Sequence, residues 1–173
     1  LEGWDFVYLK DVTVPSELPT DIAAFRSQQH RWTKGGVETG LKLLPRILTS
    51  EQSWRVKGEA FFHLTSNIAY LLMVCLAILL PMATIIRIEH GWYEALLFDV
   101  PVFLCATVSI CYFYLKAATE AGRSFGESLA LIPGVLALGI GMCINNAKGV
   151  VEALVGYTTP FVRTPKYGGE AVR

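Results

Sequence analysis

The sequence predicts a mainly α-helical membrane protein, with amphipathic interface helices followed by two transmembrane helices, or three if a last apolar run also crosses. Three observations carry this. The 173 residues are 53% hydrophobic and 17% charged, whereas an ordinary soluble domain carries about 25% charged residues. The charges crowd into the first 63 residues and the last 26, which leaves the middle nearly empty of them. Inside that middle lies a charge-free run of more than about 20 residues, enough to cross a hydrocarbon core of roughly 30 Å.

Taken in order, region 1–19 contains extended stretches at 6–9 and 11–14, closed by Pro15 and Pro19. Val12 and Val14 alternate with polar neighbours, which suits a short edge strand whose partners lie upstream. Region 20–63 turns helical. Thr20 or Asp21 can cap the start, because a side-chain oxygen there satisfies a free backbone N–H. Ile22, Phe25, Gln29 and Trp32 fall near one side, and Gly35-Gly36 is expected to break the run. A second stripe of Val37, Leu41, Leu44 and Leu48 follows, with Lys42 and Arg46 off it and Pro45 as a potential kink. Apolar stripes beside basic residues suit helices lying in a bilayer interface.

Region 64–147 is the membrane part. Residues 64–88 give the first span, and Trp92 and Tyr93 anchor the turn after it. Residues 95–115 give the second, its lone Asp99 near enough to the end to reach headgroups. Residues 128–147 are long enough for a third. Pro133, Gly134, Gly139, Gly141, Asn145 and Asn146 weaken a plain span, however, so both a kinked span and an interfacial segment stay open. Region 148–173 is a polar tail. Lysine and arginine number eight in 1–63, one (Arg87) in the first loop, two (Lys116 and Arg123) around the second and four in the tail. The positive-inside rule then places head, second loop and tail in the cytoplasm, which requires two crossings.

Several function classes are excluded or weakened. Zero net charge offers no electrostatic case for nucleic acid. Cys75, Cys105, Cys111 and Cys143 sit in apolar runs without a CxxC pair, which disfavours metal and disulfide roles. The chain opens Leu-Glu-Gly-Trp and reads as a piece of a longer protein.

The segment that carries chemistry is Gln28-Gln29-His30-Arg31-Trp32. On a helix Gln28, Arg31 and Trp32 stand at i, i+3 and i+4 and share a face. A guanidinium can grip a diphosphate with a planar fork. An indole offers an apolar face to a pyranose ring, and a carboxamide both donates and accepts hydrogen bonds. His30 points off that face and reads as a helix-surface histidine. Nearby carboxylates are Asp11, Glu17, Asp21 and Glu38, with Glu17 taken as structural.

The stretch Glu17-Leu18-Pro19, Phe25-Arg26-Ser27-Gln28-Gln29-His30-Arg31-Trp32 and Gly35-Gly36 resembles the QxxRW region of processive, cellulose-synthase-like family 2 glycosyltransferases, nearest their mannan- and glucan-synthase-like branch. Phe161-Val162-Arg163-Thr164-Pro165-Lys166 resembles the family's FxVTxK gating loop, with Phe161, Thr164 and Lys166 matching and Arg163 standing where the family has Val. The resemblance implies that the strand remnant ends an absent GT-A α/β catalytic domain, and that Trp32 contacts the acceptor sugar. It implies that Gln28 and Arg31 contact the donor diphosphate, and that the gating loop covers the nucleotide. It further implies a UDP- or GDP-hexose donor, a growing β-linked polysaccharide, membrane lipid and an upstream catalytic domain as partners. The DxD motif, the base and the ligands of a Mg2+ or Mn2+ ion are expected upstream, and a place in the cell (inner) membrane is expected for the whole. Phe61, Phe62, Tyr70, Tyr112 and Phe113 are candidates to line a glycan path. A non-catalytic membrane anchor or transporter subunit, or a non-processive lipid-linked sugar transferase, would also fit an apolar bundle with one basic motif.

Overall fold

A computed structural model describes residues 7–9, 12, 14, 16–19 and 21–160. Helix α1 spans Ile22–Leu48, α2 Trp54–Thr65, α3 Ile68–Glu89, α4 Leu96–Glu120 and α5 Phe125–Leu154, with a 3-10 turn at Tyr93–Ala95 before α4. The described residues before α1 belong to no strand. A lone extended segment with no neighbour to take its backbone hydrogen bonds cannot form a ladder, so the expected edge strand is not seen there.

Helix α1 starts where Asp21 Oδ1 accepts a hydrogen bond from Ala24 N at 2.8 Å. It runs unbroken through Gly35-Gly36 and Pro45, contrary to the expected break. Each glycine costs a helix only about 1 kcal/mol, and two nearby glycines serve close packing. A Cβ at Gly36 would meet Asn67 Nδ2 at 2.3 Å, and one at Gly40 would meet the Leu64 carbonyl oxygen at 2.9 Å. The glycines therefore let the end of α2 and the start of α3 lie directly on α1. Gly40→Val should destabilise the protein by about 1–3 kcal/mol, the range for overpacking, because the obstacle is backbone. Gly58→Ala, where nothing lies within 4 Å, should stabilise by roughly 0.5–1 kcal/mol. Thermal unfolding of the detergent-solubilised protein measures both.

The first span begins at Ile68 rather than 64. Polar Thr65 and Ser66 turn their hydroxyls onto the Phe61 and His63 carbonyls, which closes α2 before the apolar run starts. Helices α3, α4 and α5 are each long and apolar enough to cross a membrane. Leu72 is 62% and Phe98 76% exposed. Apolar surface on this scale, on helices of this length, suits contact with lipid, and the chain is a membrane protein. Asp99 does not reach for headgroups alone: it pairs with Arg87 across the turn between α3 and α4.

That ion pair marks the turn end of both helices. Tyr70 lies seventeen residues before Arg87 and Lys116 seventeen after Asp99, so both stand about 25 Å along their helices from the turn. Helix α5 meets both at this open end. Cys143 Sγ donates to the Tyr70 carbonyl at 3.3 Å, while Ser128, Leu131 and Ile132 face Tyr114, Ala117 and Ala118. Ile132 and Cys143 are some 16 Å apart along α5, and each meets its neighbour about 25 Å from the turn. Helix α5 thus bridges the ends of α3 and α4 remote from their turn. Its C-terminal half packs beside α1, where Val37, Val150 and Ala153 form the most buried cluster with Leu71 of α3 against it.

Candidate functional site

The face of α1 that packs on the bundle carries Thr33, Lys34, Val37 and Gly40, all buried. At about 100° per residue, Gln28, Arg31 and Trp32 centre on the opposite side of the helix. Gln28 and Arg31 are half-buried, and Trp32 is 63% exposed. The three groups expected to act together do share one face, which points away from the helical bundle. Arg31 Nη1 donates to Ser27 Oγ at 3.4 Å. Arg31 also lines an open cleft of about 290 Å³ with Lys34, Gly35, Glu38, Thr158, Thr159 and Pro160. The chain leaving α5 therefore returns to the motif helix and forms the far wall of that cleft.

Of the carboxylates near the motif, Asp21 is the α1 cap and Glu38 lines the cleft. Asp11 lies outside the described residues, as do Phe161, Thr164 and Lys166. The aromatic residues considered for a glycan path do not converge. Phe61 and Phe62 stack edge to face at 5.5 Å on α2, Tyr112 and Phe113 are exposed on α4, and Tyr70 is half-buried beneath α5.

Sequence reasoning missed the buried side of α1. His30 is not a surface residue: its Nε2 lies 3.2 Å from Glu152 Oε2 of α5, although the two are not aligned as a hydrogen bond. Gly149 makes room for it, since a Cβ there would stand 3.1 Å from the His30 carbonyl oxygen. Lys34 is 5% exposed; its ammonium donates to the Tyr157 carbonyl and to Thr159 Oγ1 at 2.9 Å, and lies 3.7 Å from Glu152. Asn145 Nδ2 donates to the Arg26 carbonyl at 3.0 Å. The signal available in the sequence was spacing: His30, Lys34 and Val37 repeat at helical intervals on the face opposite the motif. Among the described residues no three of His, Cys, Asp and Glu gather closely enough to hold a metal ion.

No family model and no solved structure matches the chain. Curated relatives do. Over 115 residues, 64% of the chain, it is 36% identical to glucomannan 4-beta-mannosyltransferase 7 of Arabidopsis thaliana. Over 80% of the chain it is 34% identical to the probable glucomannan 4-beta-mannosyltransferases 3 and 11 of Oryza sativa subsp. japonica. These matches cover 20%, 27% and 26% of the relatives, so the chain spans about a quarter of the length of the proteins it matches. The resemblance read from the sequence is thereby borne out: the chain is homologous to a segment of the glucomannan 4-beta-mannosyltransferases, within the cellulose-synthase-like family 2 glycosyltransferases.

Proposed function

We propose that the chain is the membrane part of an enzyme that transfers a hexose, mannose being the first candidate, from a nucleotide sugar to a growing β-linked polysaccharide. The observation that carries this reading is the motif face of α1. Gln28, Arg31 and Trp32 point away from the bundle, with Arg31 at a cleft that is walled by the start of the tail. In this reading Gln28 and Arg31 hold the donor diphosphate as it leaves, Arg31 with two N–H groups directed at phosphate oxygens. Trp32 stacks on the acceptor sugar. The acceptor hydroxyl attacks the anomeric carbon, the carbon–diphosphate bond breaks, and a carboxylate outside these residues takes the proton. Phe161, Thr164 and Lys166 cover the donor, as the resemblance implies.

The same reading assigns topology. Helices α3 and α4 cross the cell membrane, and α5 lies in the cytoplasmic interface at the base of their hairpin. The placement of α5 level with both Tyr70 and Ala117 supports this, as does the scarcity of positive charge at the turn, where Arg87 is paired internally.

Membranes expressing the complete gene product, given radiolabelled GDP-mannose, GDP-glucose, UDP-glucose and UDP-N-acetylglucosamine in turn, provide the test. Polymer containing one hexose is expected. No incorporation from any donor, in membranes where the protein is folded, would leave a non-catalytic anchor or transporter subunit. Label in a lipid extract alone would indicate a non-processive transferase.

A further inference from the structure

Behind the motif, a charged cluster is buried between α1 and α5. An ammonium taken out of water must have its donors satisfied, and Lys34 has three to place. One goes to the Tyr157 carbonyl and one to Thr159 Oγ1, while Glu152 supplies the opposite charge at 3.7 Å. The Tyr157 ring also lies under the ammonium, 5.5 Å from Nζ to its centroid. Every one of these partners belongs to the last turn of α5 or to the segment just after it. The demands on the two members of the pair differ. Glu152 has another cation at hand, Lys148 at 3.7 Å, and the His30 imidazole lies 3.2 Å from it. The packing of α1 on α5 rests on Val37, Val150 and Ala153. What Lys34 adds is the tie from the motif helix to residues 157–159, which continue into the cleft wall Thr158, Thr159 and Pro160 facing Arg31.

We propose that Lys34 is a positioning residue for the donor site: its ammonium pins the start of the tail to α1 and so sets the wall of the cleft against Arg31. This rests on the functional reading above, in which a nucleotide-sugar diphosphate occupies that cleft. Releasing the tie loosens a segment that must be ordered again when donor binds, so donor KM should rise about tenfold while kcat stays within about threefold.

The test uses the complete gene product in lipid nanodiscs, with hydrogen–deuterium exchange over 157–160 and donor KM and kcat measured on the same samples. Lys34→Met should speed exchange across 157–160 about tenfold, leave α3 and α4 protected, and raise KM as stated. Lys34→Arg, which keeps charge and donors, should restore most of both. Glu152→Gln removes the opposite charge but keeps the two hydrogen bonds of Lys34, so it should change exchange over 157–160 and donor KM less than Lys34→Met does. Equal effects of Lys34→Met and Glu152→Gln, following the loss of unfolding temperature, would reduce Lys34 to a stability role and overturn the proposal. Unchanged exchange in Lys34→Met would overturn it too. If Lys34→Met does not fold, Thr159→Val decides: a rise of about threefold in exchange confined to 157–160 supports the tie, and no rise refutes it. Should the wild type incorporate no sugar while the exchange pattern holds, the functional reading fails and the tie stands.

Discussion

Trp32→Ala in the complete gene product is expected to abolish polymer elongation, at least about 100-fold, because an acceptor misplaced by even an ångström at the reacting centre loses that much. The same change should alter stability by no more than about 0.5 kcal/mol, since Trp32 is 63% exposed and lies opposite the packed face of α1. The pair of readouts separates function from folding. Polymer length and initial rate from radiolabelled donor report the first, and thermal unfolding reports the second. Trp32→Phe keeps an apolar ring face and should retain a measurable fraction of activity. Elongation unchanged in Trp32→Ala would remove the acceptor role and leave Trp32 as an interfacial anchor.

The second large effect is expected at Arg31. Removing a charge-assisted hydrogen bond to the diphosphate costs about 1.5–3 kcal/mol, so Arg31→Ala should lower kcat/KM for the nucleotide sugar by about ten- to a hundredfold or more. Arg31→Lys keeps the charge but loses the planar fork, and should recover only part of the loss. Competition by free nucleoside diphosphate sharpens the measurement, because its inhibition constant should weaken in parallel with donor KM. A loss in Arg31→Ala with unaltered diphosphate inhibition would place the guanidinium elsewhere in the reaction.

Much of the architecture was legible because apolar runs and their flanking charges obey the simple physics of a bilayer. The two long hydrophobic stretches, the turn between them and the amphipathic character of 20–63 all follow from length, period and charge placement. The motif face was legible for the same kind of reason, since i, i+3 and i+4 spacing alone puts Gln28, Arg31 and Trp32 together. What the sequence concealed depends on contacts distant in the chain. Gly35-Gly36 looked like a helix stop because its cost is local, whereas its neighbour Gly40 and Gly36 itself serve the approach of Leu64 and Asn67. His30 looked exposed because its partner Glu152 lies more than a hundred residues away. Asp99 looked solitary until the turn brought Arg87 to it. The gating-loop match at Phe161, Thr164 and Lys166 falls outside the described residues, and its meaning rests on the resemblance.

The arrangement proposed here requires the motif helix, the base of the α3–α4 hairpin and the start of the tail to share one membrane face. Single cysteines at Ser53, Gly91, Arg123 and Thr158, placed in the complete gene product after its native cysteines are replaced, can be labelled from either side of sealed membranes with a membrane-impermeant maleimide. Ser53, Arg123 and Thr158 should react together from the cytoplasmic side, and Gly91 from the other. Labelling of Thr158 from the same side as Gly91 would mean that α5 crosses the bilayer, which parts the tail from Arg31 and contradicts the site described.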